Sequence, residues 1–259
     1  MKCLLAAAII AAVPATAVQA ATVDSEIRIA FTGIPIGRMK ATLTTDGASY
    51  TYSGNAKTSG LVKVVVPTKA YFDASGRISG RKVVPTRHNT NYRQRKKEGR
   101  LTLGFSGGRI TSTQNVPAVK YKDGTVPVKA SHLSGVLDPV AALVVPVKAG
   151  EVGNGKAICN RTIPVFDGKN RFDLKLSYAG QSNGRAKGFS GPVFKCALRY
   201  KAVSGHRPFK KNVKFWNANR DASITLAQIG NAPVYGLFGF DVRTQQGRAT
   251  GTAKKFSSK

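Results

Sequence analysis

The chain is short of acid. Twelve aspartates and glutamates stand against 41 lysines and arginines, a formal charge of +29 at pH 7 over 259 residues. Such a balance bears on partners and solubility rather than on fold. Histidine is scarcer still. His88, His132 and His206 lie far apart with no i,i+4 partner, so no paired-histidine metal motif can be drawn. There is no HExxH, no Walker phosphate loop and no G-x-S-x-G elbow, and Gly153-Asn154-Gly155 lacks the third glycine of a dinucleotide fingerprint. Asp167 and Asp173 flank the Asp167-Gly168 turn and read as turn and strand-edge acids, not as an acid/base pair. No catalytic residue, metal or cofactor is expected.

Long apolar runs are absent after the first twenty residues. Lys2 followed by the apolar stretch Leu4 to Ala15 and by Val18-Gln19-Ala20 has the order of a cleavable export signal over residues 1–20. The stretch is shorter than the roughly 20 residues a bilayer span needs. Cys3 precedes it and so cannot be a lipidated cysteine that would follow one. The mature chain, residues 21–259, is expected to be a single exported domain with no transmembrane segment and a short basic C-terminal tail.

Cysteine is nearly absent as well. Removing Cys3 leaves Cys159 and Cys196, an even count in an oxidising compartment. The options are a disulfide, two unpaired buried thiols or a metal site. Neither cysteine belongs to a CxxC pair or neighbours a histidine, which argues against zinc. The compartment favours a Cys159–Cys196 disulfide.

What is present is alternation. Ile27, Ile29 and Phe31, then Met39, Ala41 and Leu43, then Tyr50 and Tyr52 recur with period two, the mark of half-buried strands. Leu101, Leu103 and Phe105, and later Phe172, Leu174, Leu176 and Tyr178, repeat the pattern. Val213, Phe215 and the run from Val234 to Val242 extend it. Asp46-Gly47, Glu98-Gly99, Gly107-Gly108 and Asp123-Gly124 punctuate these runs as turns, and Gly150 to Gly155 reads as a mid-chain loop. An antiparallel meander in one mainly β domain is expected. Thr58 to Val66 fits either a strand or a helical turn. One segment departs from the pattern: Asp138-Pro139 followed by Val140 to Leu143 has an N-cap and a proline at the first helical position, stopped by Pro146. That predicts a short helix near 138–145, capped by Asp138 and packed on the sheet as a lid or plug.

The densest basic run is Arg87 to Arg100. If it is one strand, Arg93, Arg95 and Lys97 share a face and can contact phosphate or carboxylate groups. Lys210, Lys211 and Lys214, and the tail Lys254, Lys255 and Lys259, are further clusters. For any one such run, a solvated face or a guarded sheet edge is the expected reading ahead of a specific contact.

The order of several segments resembles domain-of-unknown-function family 3108, a group of exported bacterial proteins. The resemblance runs through Gly33 to Leu61, through YFDASGRI and VVPTRHNTNYRQRKKEGRLTLGF, and through GVLDPVAAL at Gly135 to Leu143. It continues in Val165 to Leu176 and Val213 to Asn219. It implies a periplasmic β-rich protein with a curved, open half-barrel sheet, and no catalytic residues to carry over. The expected function is a non-enzymatic binding or scaffolding module of the cell envelope, for a lipid or acyl ligand, an anionic envelope surface or a partner protein. Export argues against nucleic acid as a partner. The alternative is a periplasmic hydrolase-like enzyme with a non-standard site, which a cleft joining His132, Asp138 and a hydroxyl would favour.

Overall fold

The computed structural model describes residues 20–60 and 67–259. The expected signal, residues 1–20, lies outside them but for Ala20, and so does most of the ambiguous Thr58 to Val66 stretch. Period-two patterning becomes two runs of antiparallel hairpins. The first holds β1 (Ala21–Phe31), β2 (Ile34–Thr45), β3 (Ser49–Thr58), β4 (Thr68–Ser79), β5 (Lys82–Gln94), β6 (Lys97–Ser106) and β7 (Arg109–Val116). After β8 (Val145–Pro146), the second holds β9 (Arg161–Phe166), β10 (Arg171–Ala186), β11 (Phe189–Ser204), β12 (Ala222–Gln228), β13 (Val234–Arg243) and β14 (Arg248–Ser258). Pairing of β1 with β14 fuses the runs into one sheet, ordered β7-β6-β5-β4-β3-β2-β1-β14-β13-β12-β11-β10-β9.

This is the circular order of a barrel, but β7 and β9 do not pair, so the sheet stays open along one line. Its inner face follows the alternation. Tyr52, Ala74, His88 and Leu103 are cross-strand neighbours on β3 to β6 and all are buried. The concave side is not an empty cup. The β7–β9 connection enters it, and Val136, Val140, Ala141, Ala142, Val144, Val145 and Val147 are all buried there. This insert contributes residues to each of the three apolar clusters of the core. Burying a valine side chain stabilises by about 1.5 kcal/mol or more. Five such valines therefore rival the roughly 5–15 kcal/mol that holds a typical domain folded.

The expected helix near 138–145 is a single turn of 3-10 helix, Ala141–Leu143. The chain leaves helical geometry early because Val145 and Pro146 pair with Tyr235 and Val234 of β13. Two unexpected helices appear. In α1 (Gly155–Cys159) the Asn154 side chain accepts from the Lys156 and Ala157 amides, so the supposed mid-chain loop ends in a capped helix. In α2 (Lys211–Ala218) lie Val213 and Phe215, read above as strand residues. Two apolar residues two apart cannot separate the periods. Here Asn217 settles the matter by accepting the Ala202 amide at 2.8 Å, which docks the helix on β11. Glu98-Gly99 is not a turn either: it lies within β6, and Gly99 is needed because the Tyr92 ring occupies the space a Cβ would fill.

The β1–β14 seam is clasped by charge. Asp24 Oδ2 lies 2.9 Å from Lys259 Nζ and 3.4 Å from Lys255 Nζ, while Thr42 Oγ1 donates to Oδ1 at 2.8 Å. Hydrogen bonds from Lys259 and Thr42, reinforced by the two ammonium charges, lower the Asp24 pKa to about 2. A depressed carboxylate contributes stability above its unfolded pKa of about 3.9, and loses it as pH falls toward the folded value. Asp24→Asn is therefore expected to lower stability at neutral pH and to flatten the stability–pH curve between about pH 4 and 2. Chemical denaturation at stepped pH checks it; curves of equal slope in that window would refute the clasp.

Candidate functional site

The basic run Arg87 to Arg100 is a hairpin and not one strand. Arg93 lies on β5, Arg95 takes a left-handed turn conformation (φ 54°), and Lys97 opens β6. Arg93 faces Glu98 across the ladder whereas Lys97 faces Gln94, so Arg93 and Lys97 point to opposite faces. The expected shared face of Arg93, Arg95 and Lys97 is thus corrected. The chain needs two residues to reverse, and the reversal flips the parity. On the outer face the register instead aligns Lys69, Arg93 and Glu98 in one row, and Tyr71, Asn91, Arg100 and Val116 in the next. These residues and Arg95 line an open cleft of about 640 Å³, with Tyr92 at its rim. Arg93 ion-pairs with Glu98, and Arg100 Nε donates to Asn91 Oδ1 at 2.9 Å. Four cations face the cleft against one carboxylate. Tyr71, Tyr92 and Val116 are among the most exposed large apolar side chains, at 57%, 45% and 60%.

Inside the sheet, Asp138 does cap as expected: its Oδ1 accepts the Val140 and Ala141 amides, both at 2.9 Å. It does not meet His132, which stands apart and accepts the Lys129 amide through Nδ1 at 3.1 Å. Its partner is His88, with Nδ1 3.0 Å from Oδ1 and both side chains fully buried. The ring N–H is not aligned on that oxygen, so the contact is a close polar approach and not a directed hydrogen bond. On the far side of the ring, Nε2 lies 2.9 Å from the Thr90 hydroxyl. The Asp138 Oδ2 and Tyr50 hydroxyl atoms are also buried without a hydrogen bond. Burial, and then the Asp138 charge, push the Tyr50 phenol above its ordinary pKa. Nothing in the sequence pairs His88 with Asp138, fifty residues on. The link depends on the insert entering the concave face opposite β5.

Cys159 and Cys196 form a disulfide with Cα atoms 5.3 Å apart, fixing the end of α1 to β11. Both are fully buried, within the cluster that holds Ile158, Phe194 and Leu226. The bond is remote from the cationic cleft and acts on the fold. Asp167 accepts the Lys169 and Asn170 amides and Asp173 pairs with Arg171, so these acids hold a turn and a strand. Among the described residues no three His, Cys, Asp or Glu side chains are grouped to hold a metal ion, and no helix is long and apolar enough to cross a membrane.

An open, β-rich sheet with a plugged concave face is the class these features define. The chain belongs to the family described as "Protein of unknown function (DUF3108)", which matches residues 26–232. Its fold is similar to that of a β-barrel-like protein from Brucella abortus, a domain of unknown function of the DUF1849 type. Sequence identity is 11%, the alignment covers 93% of this chain and 97% of that one, and the TM-score is 0.54. No curated protein matches.

Two outcomes follow for the interior. Asp138→Ala removes the acceptor of two buried amides, so it should cost about 2 kcal/mol, the upper end of the range for a lost cap. Asp138→Asn keeps an acceptor oxygen and should cost less; equal losses for the two variants in urea denaturation would refute the cap as the source of the loss. Cys159→Ser with Cys196→Ser opens a loop of 37 residues. The chain-entropy model then gives a loss of about 4 kcal/mol, readable in the same experiment.

Proposed function

We propose that this protein is a non-enzymatic module of the cell envelope, exported to the periplasm, that docks through its outer face on a phosphate- or carboxylate-bearing surface. The observation that carries this is the outer cleft of β4 to β7. It sets Lys69, Arg93, Arg95 and Arg100 around exposed Tyr71 and Tyr92, with Glu98 as its one acid. Arginine forks match phosphate and carboxylate oxygens, and tyrosine suits the boundary between water and an apolar or sugar surface. The overall charge of +29 adds a long-range pull that salt weakens beyond about 8 Å. The plugged concave face favours this over an acyl chain held inside the sheet.

A hydrolase-like reading has one observation in its favour, the run Thr90 hydroxyl, His88 ring, Asp138 carboxylate. Its order is that of a nucleophile–base–orienter set. Against it, His88 and Asp138 are sealed from solvent and none of the clefts described here is lined by them. Labelling of Thr90 by a fluorophosphonate, abolished in His88→Ala, would favour it.

For docking, each cation near an anionic surface contributes about 1 kcal/mol, so Arg93→Glu, Arg95→Glu and Arg100→Glu together should weaken binding by about a hundredfold or more. Co-sedimentation at low salt with phosphatidylglycerol vesicles, phosphatidylcholine vesicles and cell-wall sacculi reads this and separates lipid from polymer. Lys97→Glu, on the opposite face, should have less effect. Unchanged binding by the triple variant would make these arginines an ordinary solvated face.

A further inference from the structure

The line along which the sheet fails to close is a built cleft. β5 pairs with β6 from Arg87 to Gln94, and among the described residues no strand pairs with Lys82 to Thr86 on that side. β9 pairs with β10 on one side, and its other side meets the insert at Leu137. These two free stretches face each other: Arg81 to Pro85 form one wall and Asn160 to Pro164 the other, around about 660 Å³. That is within the roughly 300–1,000 Å³ usual for ligand clefts. Val144 and Pro146 of the insert line it. The Arg81 guanidinium crosses toward α1, donating to the Ala157 carbonyl at 2.5 Å and lying 3.6 Å from Glu151.

Main-chain groups point into this cleft from both walls. Leu137 donates to the Pro164 carbonyl at 2.8 Å and accepts from the Phe166 amide at 2.9 Å. Residues 164 and 166 thus turn their main chain toward the seam, and by period two Thr162 does the same. On the other wall, Ile78 sends its amide to Ala48, away from β5. Its cross-strand partner Val83 therefore turns its own N–H and C=O away from β4, into the seam. Leu137 already occupies one strand position on this edge; among the described residues no main-chain group pairs with Thr162 or Val83 across the seam.

We infer that the cleft takes an extended, acidic peptide segment of a partner protein, which adds as a strand between β5 and β9. Strand addition draws affinity from main-chain hydrogen bonds and specificity from alternate side chains. The charge is complementary to an acid: Arg81, Lys82 and Arg161 face the cleft, against Glu151 near its end. Arg161 donates to the carbonyls of Pro146 and Ala157 and not to a carboxylate, and among the described residues Lys82 has no acidic partner. The inference concerns a different face from the cationic cleft of β4 to β7 and does not rest on that reading.

The probes are fluorescein-labelled hexapeptides alternating valine and threonine and ending in glutamate or in lysine, with a copy of the first N-methylated at its central amides. Anisotropy titration of the full mature protein should saturate for the glutamate peptide with a Kd below about 1 mM. N-methylation should weaken it by about tenfold, since it removes main-chain donors. Thr162→Pro, a change that the edge position tolerates as it does Pro164, should weaken binding likewise. Lys82→Glu, at the exposed first residue of β5, should reverse the preference between the two peptides and carries the test even where Thr162→Pro fails to fold. Absence of saturable binding by any peptide overturns the inference. So does binding indifferent to both N-methylation and Lys82→Glu. Oleate displacing the peptide with an affinity that Thr162→Pro and Lys82→Glu leave unchanged would make the cleft a lipid slot instead.

Discussion

The structure turns on one buried carboxylate. A sheet in barrel order that does not close must fill its concave side by other means, and the β7–β9 connection does so with valines and alanines. A connection has unsatisfied amides, which are costly to bury. Asp138 resolves that conflict by accepting two amides at the point where the insert reaches its deepest burial. The cost is a polar side chain sealed inside the fold, and His88 is the polar group the sheet places beside it. The Thr90–His88–Asp138 run is thus explained by packing before any chemistry is invoked.

The scarcity of acid has a structural counterpart. Eight of the twelve carboxylates lie in ion pairs with lysine or arginine: Asp24, Glu26, Asp73, Glu98, Glu151, Asp173, Asp221 and Asp241, while Asp138 lies against the His88 ring. Asp46 and Asp167 instead cap turns through backbone amides. Nearly every acid is committed to a strand seam, a turn or the buried cap, and most of the lysines and arginines are left uncompensated. Exposed pairs stabilise little. Their effect here is on position, fixing which cations stay available on which face.

The sheet was legible because alternation carries a strand's orientation as well as its existence. Leu101, Leu103 and Phe105, and Phe172 to Tyr178, fall on strands as read. The disulfide followed from the expected export and the cysteine count. The Asp138 cap was visible, but not its burial or its partner, since both depend on a contact between residues fifty apart. The face shared by Arg93, Arg95 and Lys97 failed for a local reason: the turn signal in that run, Glu98-Gly99, lies inside β6, and the reversal comes earlier, at Arg95, where a residue other than glycine takes a positive φ. The α2 helix failed because Val213 and Phe215 form too short a pattern to distinguish periods.

An unclosed sheet invites pairing with other chains, and its free edges carry the usual guards. Pro85 stands on the free stretch of β5 and Pro164 on β9, each removing an amide donor, while Arg81, Lys82 and Arg161 place like charge on both walls of the seam. Like charge on two copies of this chain opposes edge-to-edge self-association, most strongly at low salt. The same charge does not oppose an acidic strand. A seam guarded in this way resists pairing with its own kind while keeping main-chain groups on both walls, which closing the barrel would have consumed.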